Sequence, residues 1–447
     1  MRVIWKIGIA AGALFVLAQL VRPTIPAKPA TAEIQAPPAV EQILNKSCYS
    51  CHSDERRLAW FDQIEPAYLI GRHDILIARS HLNFSTLGSA SSSVQRAKLF
   101  EAVNMIQLGA MPLPQFVALH PDARVSPEEL AELKAYLAPW ENIPSLPIDD
   151  RKVGSATTRV PLSEVRPEPN GLAFDPSFGG WKLISTTDRG DNNTFRFILG
   201  NDVAVKAAQS GDISPWPDGA RFAKVAWQQQ LGDDGLIHPG NFVQVELMFK
   251  DARQYKDTDG WGWGRWRGLD LKPYGEGVHF VTECTGCHLP VRGSDYVYTL
   301  PITNAHANRE EVVNNAAASL PTSLPWQPLG WRPITMYVDP KTLSTATLFG
   351  DDTAMHALER EGTPGFTYSS GSVLALVTWA QRDDPHWFGG RIPNTPRRVE
   401  FVQISSSGST DVYRVFEGGM LGETHPSAGD RVRRTNFILN LKSASLP

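Results

Sequence analysis

The chain has 447 residues, and its 43 Lys and Arg stand against 47 Asp and Glu for a formal net charge of -4. Hydrophobic residues make up 42% and charged residues 20%, which excludes a wholly disordered chain and a multi-span membrane protein. The near-neutral balance, without a long basic stretch, excludes nucleic acid as the main partner.

At about 150 residues per domain the length allows roughly three domains. Arg2 and Lys6 precede an apolar run over residues 7–21, which Arg22 and Pro23 end. A positive start before a short apolar core reads as an export signal. No small-residue cleavage site follows directly, so residues 1–22 are expected to stay as a membrane anchor rather than be removed. The body is then periplasmic, held at the inner membrane. Residues 23–40, rich in Pro and Ala, cannot build a core and form a spacer.

The four cysteines occur only as Cys48-Tyr49-Ser50-Cys51-His52 and Cys284-Thr285-Gly286-Cys287-His288. With 4 Cys and 11 His, chance expects only about 0.001 such patterns in a chain of this length. The spacing is that of c-type haem attachment: two thiols bond the two vinyl groups and the adjacent His reaches the iron. Zinc would need thiolates to converge from two distant segments and leaves His52 and His288 unexplained. A redox CxxC needs no following His. The cofactors expected are therefore two covalently attached c-type haems.

The first site opens a helical domain over residues 41–145. Ser126-Pro127-Glu128-Glu129 reads as a capping box with Pro at the first helical position, and Leu130, Leu133 and Leu137 follow on one face. Met111, in the Pro-braced Gly109-Ala110-Met111-Pro112-Leu113-Pro114, is the candidate sixth ligand. His73 and His81 compete with it, and Met111 as a core filler is the bland alternative. The segment resembles a bacterial haem-binding domain family with a CxxCHS opening (Cys48 to Ser53) and a later Leu82-Asn83-Phe84-Ser85. That resemblance implies a haem carrier and little more.

Residues 146–170 are polar and Pro-containing and read as a linker. Beyond it Val243, Val245, Leu247 and Phe249 alternate with Gln244, Glu246 and Met248, a strand signature. Residues 222–227 and 194–199 also read as strands, and 204–209 as a short helix. Residues 259–266 alternate Gly with Trp in a tight strand or turn, where glycine lets another surface approach closely. In residues 222–227 Lys224 shares a face with Phe222 and Ala226. Desolvation on an apolar face favours its neutral, nucleophilic amine; the bland alternative is an exposed lysine at a sheet edge.

Residues 171–305 resemble the cytochrome P-460 family. The matching residues are Phe197-Ile198-Leu199-Gly200-Asn201-Asp202, then Pro217-Asp218-Gly219-Ala220 with Lys224, and Cys284 to His288 followed by Asp295-Tyr296-Val297-Tyr298-Thr299. The resemblance implies a β-rich fold, a five-coordinate haem on His288, oxidation of hydroxylamine, and a lysine, here Lys224, cross-linked to the porphyrin edge. The related cytochromes c-prime-beta lack the cross-link and bind nitric oxide. Arg189, Asp188 and Glu283 are unranked candidates for a distal proton-moving group.

Residues 306–447 repeat this segment without cysteine. Trp181 matches Trp331, Gly200-Asn201-Asp202 matches Gly350-Asp351-Asp352, and residues 219–227 match 371–379. Lys224 falls on Leu376, so the position is expected to face inward. The expected fold is multidomain: an N-terminal all-α cytochrome c-like domain, then two tandem β-rich (α+β) P-460-like domains, the second without haem and packed on the first as an internal pseudo-dimer. The function expected is an exported dihaem oxidase of hydroxylamine or a related small nitrogen species. Lys224 and His288 serve the active haem. Electrons pass to the haem of Cys48, Cys51, His52 and Met111, and on to an external cytochrome or quinone-linked acceptor. The alternative is a non-catalytic electron-transfer or nitric-oxide-binding cytochrome.

Overall fold

The computed structural model describes residues 12–55, 57–138, 159–302, 314–361, 366–405 and 412–447, with His279 by its backbone alone. Arg2, Lys6 and the start of the apolar run lie outside the described residues, as does most of the linker. Among the described residues no helix is long and apolar enough to cross a membrane. The chain divides into two compact units, residues 1–140 and 141–447.

The first unit is helical: α1 (Pro38–Ser47), α2 (Ala67–His81), α3 (Ser92–Gln107) and α4 (Pro127–Leu137), with short turns between them. The expected capping box is formed. Ser126 Oγ accepts from Glu129 N at 3.2 Å, and Ser126 N donates to Glu129 Oε2 at 2.8 Å. The box satisfies two donors that the first turn would leave orphaned. Leu133 and Leu137 below it are buried.

The second unit is built on β1 (Lys182–Arg189), β2 (Thr194–Gly200), α5 (Asp202–Ser210), β3 (Arg221–Leu231) and β4 (Ile237–Lys250). Next come β5 (Trp261–Arg267), β6 (Lys272–Pro273) and α6 (Val281–His288). The same order then recurs: β7 (Arg332–Asp339), β8 (Ser344–Gly350), α7 (Asp352–Leu358), β9 (Val373–Asp384), β10 (Trp387–Gln403), β11 (Val412–Glu417), β12 (Gly422–Thr424) and α8 (Ala428–Leu439).

Hydrogen bonding runs β1-β2-β3-β4-β7-β8-β9-β10, and β10 returns to β1, so the strands close into a barrel. Closure leaves none of these eight strands as a barrel edge. The two seams mirror one another: Ile237 of β4 pairs with Val338 of β7, and Arg391 of β10 pairs with Asp188 of β1. β5 and β11 branch off as extra strands on β4 and β10.

Strand alternation gives every barrel strand two faces, and both are covered. Phe197, Val225, Trp227, Val245 and Leu247 join Phe349, Val377, Trp379, Val399 and Phe401 in one core inside the barrel. That core takes about equally from both halves, so neither half can bury its inner face alone. Two indoles anchor it. Trp227 Nε1 donates to the Ser445 carbonyl at 2.6 Å and Trp379 Nε1 to the Ala318 carbonyl at 2.8 Å. The outer face of the first half packs under α5 and α6, with Ile198, Phe222, Trp261, Trp263 and Tyr296.

The Gly–Trp alternation of β5 has a steric cause. A Cβ on Gly264 would lie 2.6 Å from the Trp266 ring, and one on Gly262 would strike Tyr255. The part of the expected linker that is described is no free tether. Glu168 is buried and accepts from the backbone N–H groups of Arg265 at 2.8 Å and Gly275 at 3.1 Å, while the Arg166 carbonyl accepts from Trp266 Nε1 at 2.9 Å. A polar composition here serves backbone donors of β5 rather than water.

Trp379→Ala removes a fully buried indole and its hydrogen bond from the shared core. It is expected to cost about 3–5 kcal/mol, read as a lower urea midpoint for the β-rich unit.

Candidate functional site

Each CxxCH sits at the end of a short helix with its histidine aimed by a backbone carbonyl. In the helical unit His52 Nδ1 lies 3.0 Å from the Leu82 carbonyl. A carbonyl only accepts, so Nδ1 carries the proton and Nε2 is left with its lone pair. The Leu82-Asn83-Phe84-Ser85 motif thereby gains a physical role. Asn83 Nδ2 donates to Asp54 Oδ1 at 2.9 Å, Asp54 N donates to Ser85 Oγ at 2.9 Å, and buried Phe84 stacks on Tyr49. The motif clamps the segment that follows Cys51. Burial lowers the His52 pKa and pushes the thiols up, Cys48 to about 12 and Cys51 to about 11.

Met111 is half-buried in the turn after α3, where its N–H donates to the Met105 carbonyl at 3.1 Å. His73 and His81 are exposed on α2. His81 lies close enough to His52 for its charge to lower that pKa further.

In the β-rich unit His288 closes α6. Its Nδ1 lies 2.7 Å from the Tyr296 carbonyl, which fixes the same tautomer. The acceptor belongs to a tight loop in which Asp295 and Tyr296 both have left-handed backbone, φ 50° and 66°. Such strain persists only where surroundings impose it. Asp295 Oδ1 takes the buried Lys250 ammonium at 2.8 Å, and Asp295 Oδ2 takes the Trp216 N–H at 2.8 Å. Lys250 and Asp295 therefore hold the carbonyl that aims His288. Burial, with the Lys224 charge adding to it, lowers the His288 pKa to about 4. The imidazole is neutral and available as a ligand. Trp263 packs on it at 4.6 Å and Tyr298 at 5.0 Å between ring centroids.

The sheet face under α6 carries a row of charge. In register, Ile198 of β2 pairs Lys224 of β3, Lys224 pairs Glu246 of β4, and Glu246 pairs Arg265 of β5. Glu246 Oε2 lies 2.5 Å from Lys224 Nζ, and Glu246 Oε1 lies 3.1 Å from Arg265 Nε. Lys224 does share its face with Phe222 and Ala226, and Glu246 partners it there. Burial, reinforced by Arg196 and Arg265, outweighs that partner and brings the Lys224 amine down to about 8. Both cations hold the Glu246 carboxyl well below its usual range despite its burial. Glu246, Arg265, Arg196, Trp263 and Tyr298 were missed from sequence. The signal for Glu246 was there as a lone carboxylate in the alternation of β4.

The equivalent row in the second half reads Leu348, Leu376, Glu400 and Val415. The glutamate persists, but α8 answers it. Arg434 Nε and Nη2 donate to the two oxygens of fully buried Glu400 at 2.8 and 2.6 Å, and Tyr413 Oη donates at 2.5 Å. A bidentate arginine fills the place that Cys284, Cys287 and His288 occupy in the first half.

Of the distal candidates, Asp188 accepts from Gln229 and Gln381 at the barrel seam, Arg189 pairs with Asp191, and exposed Glu283 accepts from Tyr274. Each is already engaged elsewhere.

The residues present fit a haem. Four cysteines carry no disulfide, and among the described residues no group of three or more His, Cys, Asp and Glu forms a metal cage. Arg196 Nε and Trp263 Nε1 are buried without a partner. Buried donors of this kind are completed by a bound group with acceptor atoms, such as a carboxylate-bearing porphyrin.

Residues 176–299 match the sequence profile of the family described as Cytochrome P460, and residues 13–139 match that of a Haem-binding domain. No curated protein matches the chain. The two matched segments make the chain a haem cytochrome, with a helical haem-binding region before a barrel that carries the P460 segment.

In haem-free chain, competitive acetylation should titrate Lys224 with a midpoint near pH 8. Glu246→Gln removes the carboxylate whose charge and hydrogen bond raise this pKa, so the midpoint should move below 8 while surface lysines stay near their ordinary value.

Proposed function

We propose that the chain is an exported dihaem c-type cytochrome that oxidises hydroxylamine or a related small nitrogen species at the haem of Cys284, Cys287 and His288. Electrons leave through a second haem, held by Cys48, Cys51, His52 and Met111, to an external cytochrome or quinone-linked acceptor. The N-terminal segment anchors the protein at the periplasmic face of the inner membrane. The observation that carries the reading is a carbonyl-aimed His288 within electrostatic reach of Lys224, which the Glu246 carboxylate holds on the sheet face beneath.

A haem held there supplies the redox chemistry and an open coordination position for substrate. The protein's own residues do the rest. Tyr296 keeps the Nδ1 proton on His288, so Nε2 alone is offered to iron. A depressed pKa leaves a fraction of Lys224 neutral near pH 7–8, the nucleophilic form of the amine. Glu246 and Arg265 hold that amine in register. Lys224 and Arg265 in the row, with Arg196 nearby, outnumber the one carboxylate of Glu246, which suits the carboxylates of a porphyrin.

We also read the second half as a haem-free duplicate, so that the barrel is a pseudo-dimer within one chain. The mirrored seams and the persistence of the glutamate as Glu400 support this. A second functional reading has one observation in its favour: the close Lys224–Glu246 pair stabilises a charged, unlinked lysine. That protein would bind nitric oxide or relay electrons without turnover.

Mass spectrometry of the protease-digested holoprotein distinguishes the two readings. The oxidase reading expects one haem joining the Cys284–Cys287 peptide to the peptide carrying Lys224, with a red-shifted ferrous Soret band. Lys224→Leu should abolish both the link and hydroxylamine turnover. A free Lys224 beside a loaded haem overturns the oxidase reading. For the duplication, residues 159–447 should sediment as a monomer at micromolar concentration, since the barrel is already closed; a stable dimer counts against it.

A further inference from the structure

The helix that carries His288 is gripped from outside its own half of the barrel, and Tyr298 is where the grip is applied. Tyr298 Oη donates to the Cys287 carbonyl at 2.6 Å, and its ring stands edge-on to His288 at 5.0 Å between centroids. From the other side His386 Nδ1 donates to the Tyr298 carbonyl at 2.6 Å, and the Trp387 ring meets the Tyr298 ring at 5.7 Å, again edge to face. His386 lies in the turn between β9 and β10 and Trp387 opens β10, in the half without cysteine.

Trp387 is itself fixed. Its Nε1 donates to Asp191 Oδ2 at 3.2 Å, and the Arg189 guanidinium lies 4.3 Å over its ring. Arg189 and Asp191 form a buried ion pair, their side chains 6% and 3% exposed. Gly390 lets β10 approach, since a Cβ there would lie 3.3 Å from Arg189 Cδ. The β1–β10 seam runs alongside, with Arg189 paired to Gly390. A continuous set of contacts thus leads from the seam through Trp387 and Tyr298 to His288.

Outer partners of a metal-ligating histidine fix its ring plane as well as its tautomer, and their loss is felt at the metal. The Nδ1 bond to Tyr296 leaves the imidazole free to turn about that bond. Trp263 and Tyr298 both stand against the imidazole and limit that turn, and Tyr298 is held there by two residues of the other half.

We propose that His386 and Trp387 are positioning residues for the iron ligand, so that the cysteine-free half of the barrel completes the His288 site. The inference rests on the haem reading of that site, and the test separates the two. The full chain is prepared with haem as wild type, Trp387→Leu, Trp387→Phe and His386→Phe. Digestion and mass spectrometry report covalent haem on Cys284 and Cys287. Electron paramagnetic resonance and cyanide titration of the ferric protein report the His288 iron, and the signal from the Cys48–Cys51 site is the internal reference.

Trp387→Leu and His386→Phe should keep the covalent haem, broaden the His288 signal and change its cyanide Kd about tenfold. Trp387→Phe, which keeps an aromatic edge on Tyr298, should return both toward wild type. A folded, haem-loaded Trp387→Leu with wild-type spectrum and Kd overturns the inference. If Trp387→Leu fails to fold, His386→Phe, which keeps a ring and deletes only the hydrogen bond, is read by the same two outcomes. Absence of haem on Cys284 and Cys287 in the wild type overturns the haem reading and this inference with it.

Discussion

Every barrel strand here has two buried faces, and the rest of the structure follows from that constraint. The inner face must be apolar because it meets the other half across a filled barrel, as Val245 and Val399 do in one core. The outer face of β2 to β5 lies under α6 and is then the place where polar and charged residues can be both sheltered and useful. Lys224, Glu246 and Arg265 are brought into one row by strand register alone. A one-residue slip in any of these strands would send a charge into the barrel core and a valine into the pocket. The hydrophobic interior therefore fixes the chemistry of the outer face.

Much of this was legible in the sequence. The two CxxCH motifs, the capping box at Ser126, the strands around Lys224 and β4, and the offset matches between the two halves are local patterns, and each has a local physical cause. The charge row was not legible. In β4 the alternation of Val245 and Leu247 with Gln244 and Glu246 is that of any strand with one wet face, and nothing local says that α6 covers the polar side. Arg265 sits in a Gly–Trp run whose register on β4 is set by long-range pairing. Glu168 looked like linker because a carboxylate that caps three distant backbone donors, one in β5 and two just after β6, has the same composition as one in water.

The two halves amount to a comparison carried out within one chain. They keep the glutamate of β4 and β10 and differ in what neutralises it. In the first half Lys224 and Arg265 come from neighbouring strands and leave α6 free to present Cys284, Cys287 and His288. In the second half leucine and valine stand at those strand positions, and the compensating cations are Arg434 from α8 and Arg398 from β10 itself. A fully buried carboxylate without a cation is costly, so the losses on the strands and the gain on the helix are coupled. An arginine reaching in from the helix and a cysteine pair presented by it are alternative uses of the same space.

The second half also bears on the His288 segment. The interior core needs it, but any apolar surface could serve there. The turn between β9 and β10 does something less replaceable. It carries His386 and Trp387 to the carbonyl and ring of Tyr298, and Tyr298 touches both Cys287 and His288. The seam that closes the barrel thus lies beside the contacts that steady His288. Closing the sheet and orienting the imidazole are two consequences of one packing arrangement, and a change at the seam reaches the ligand through three contacts rather than through the core.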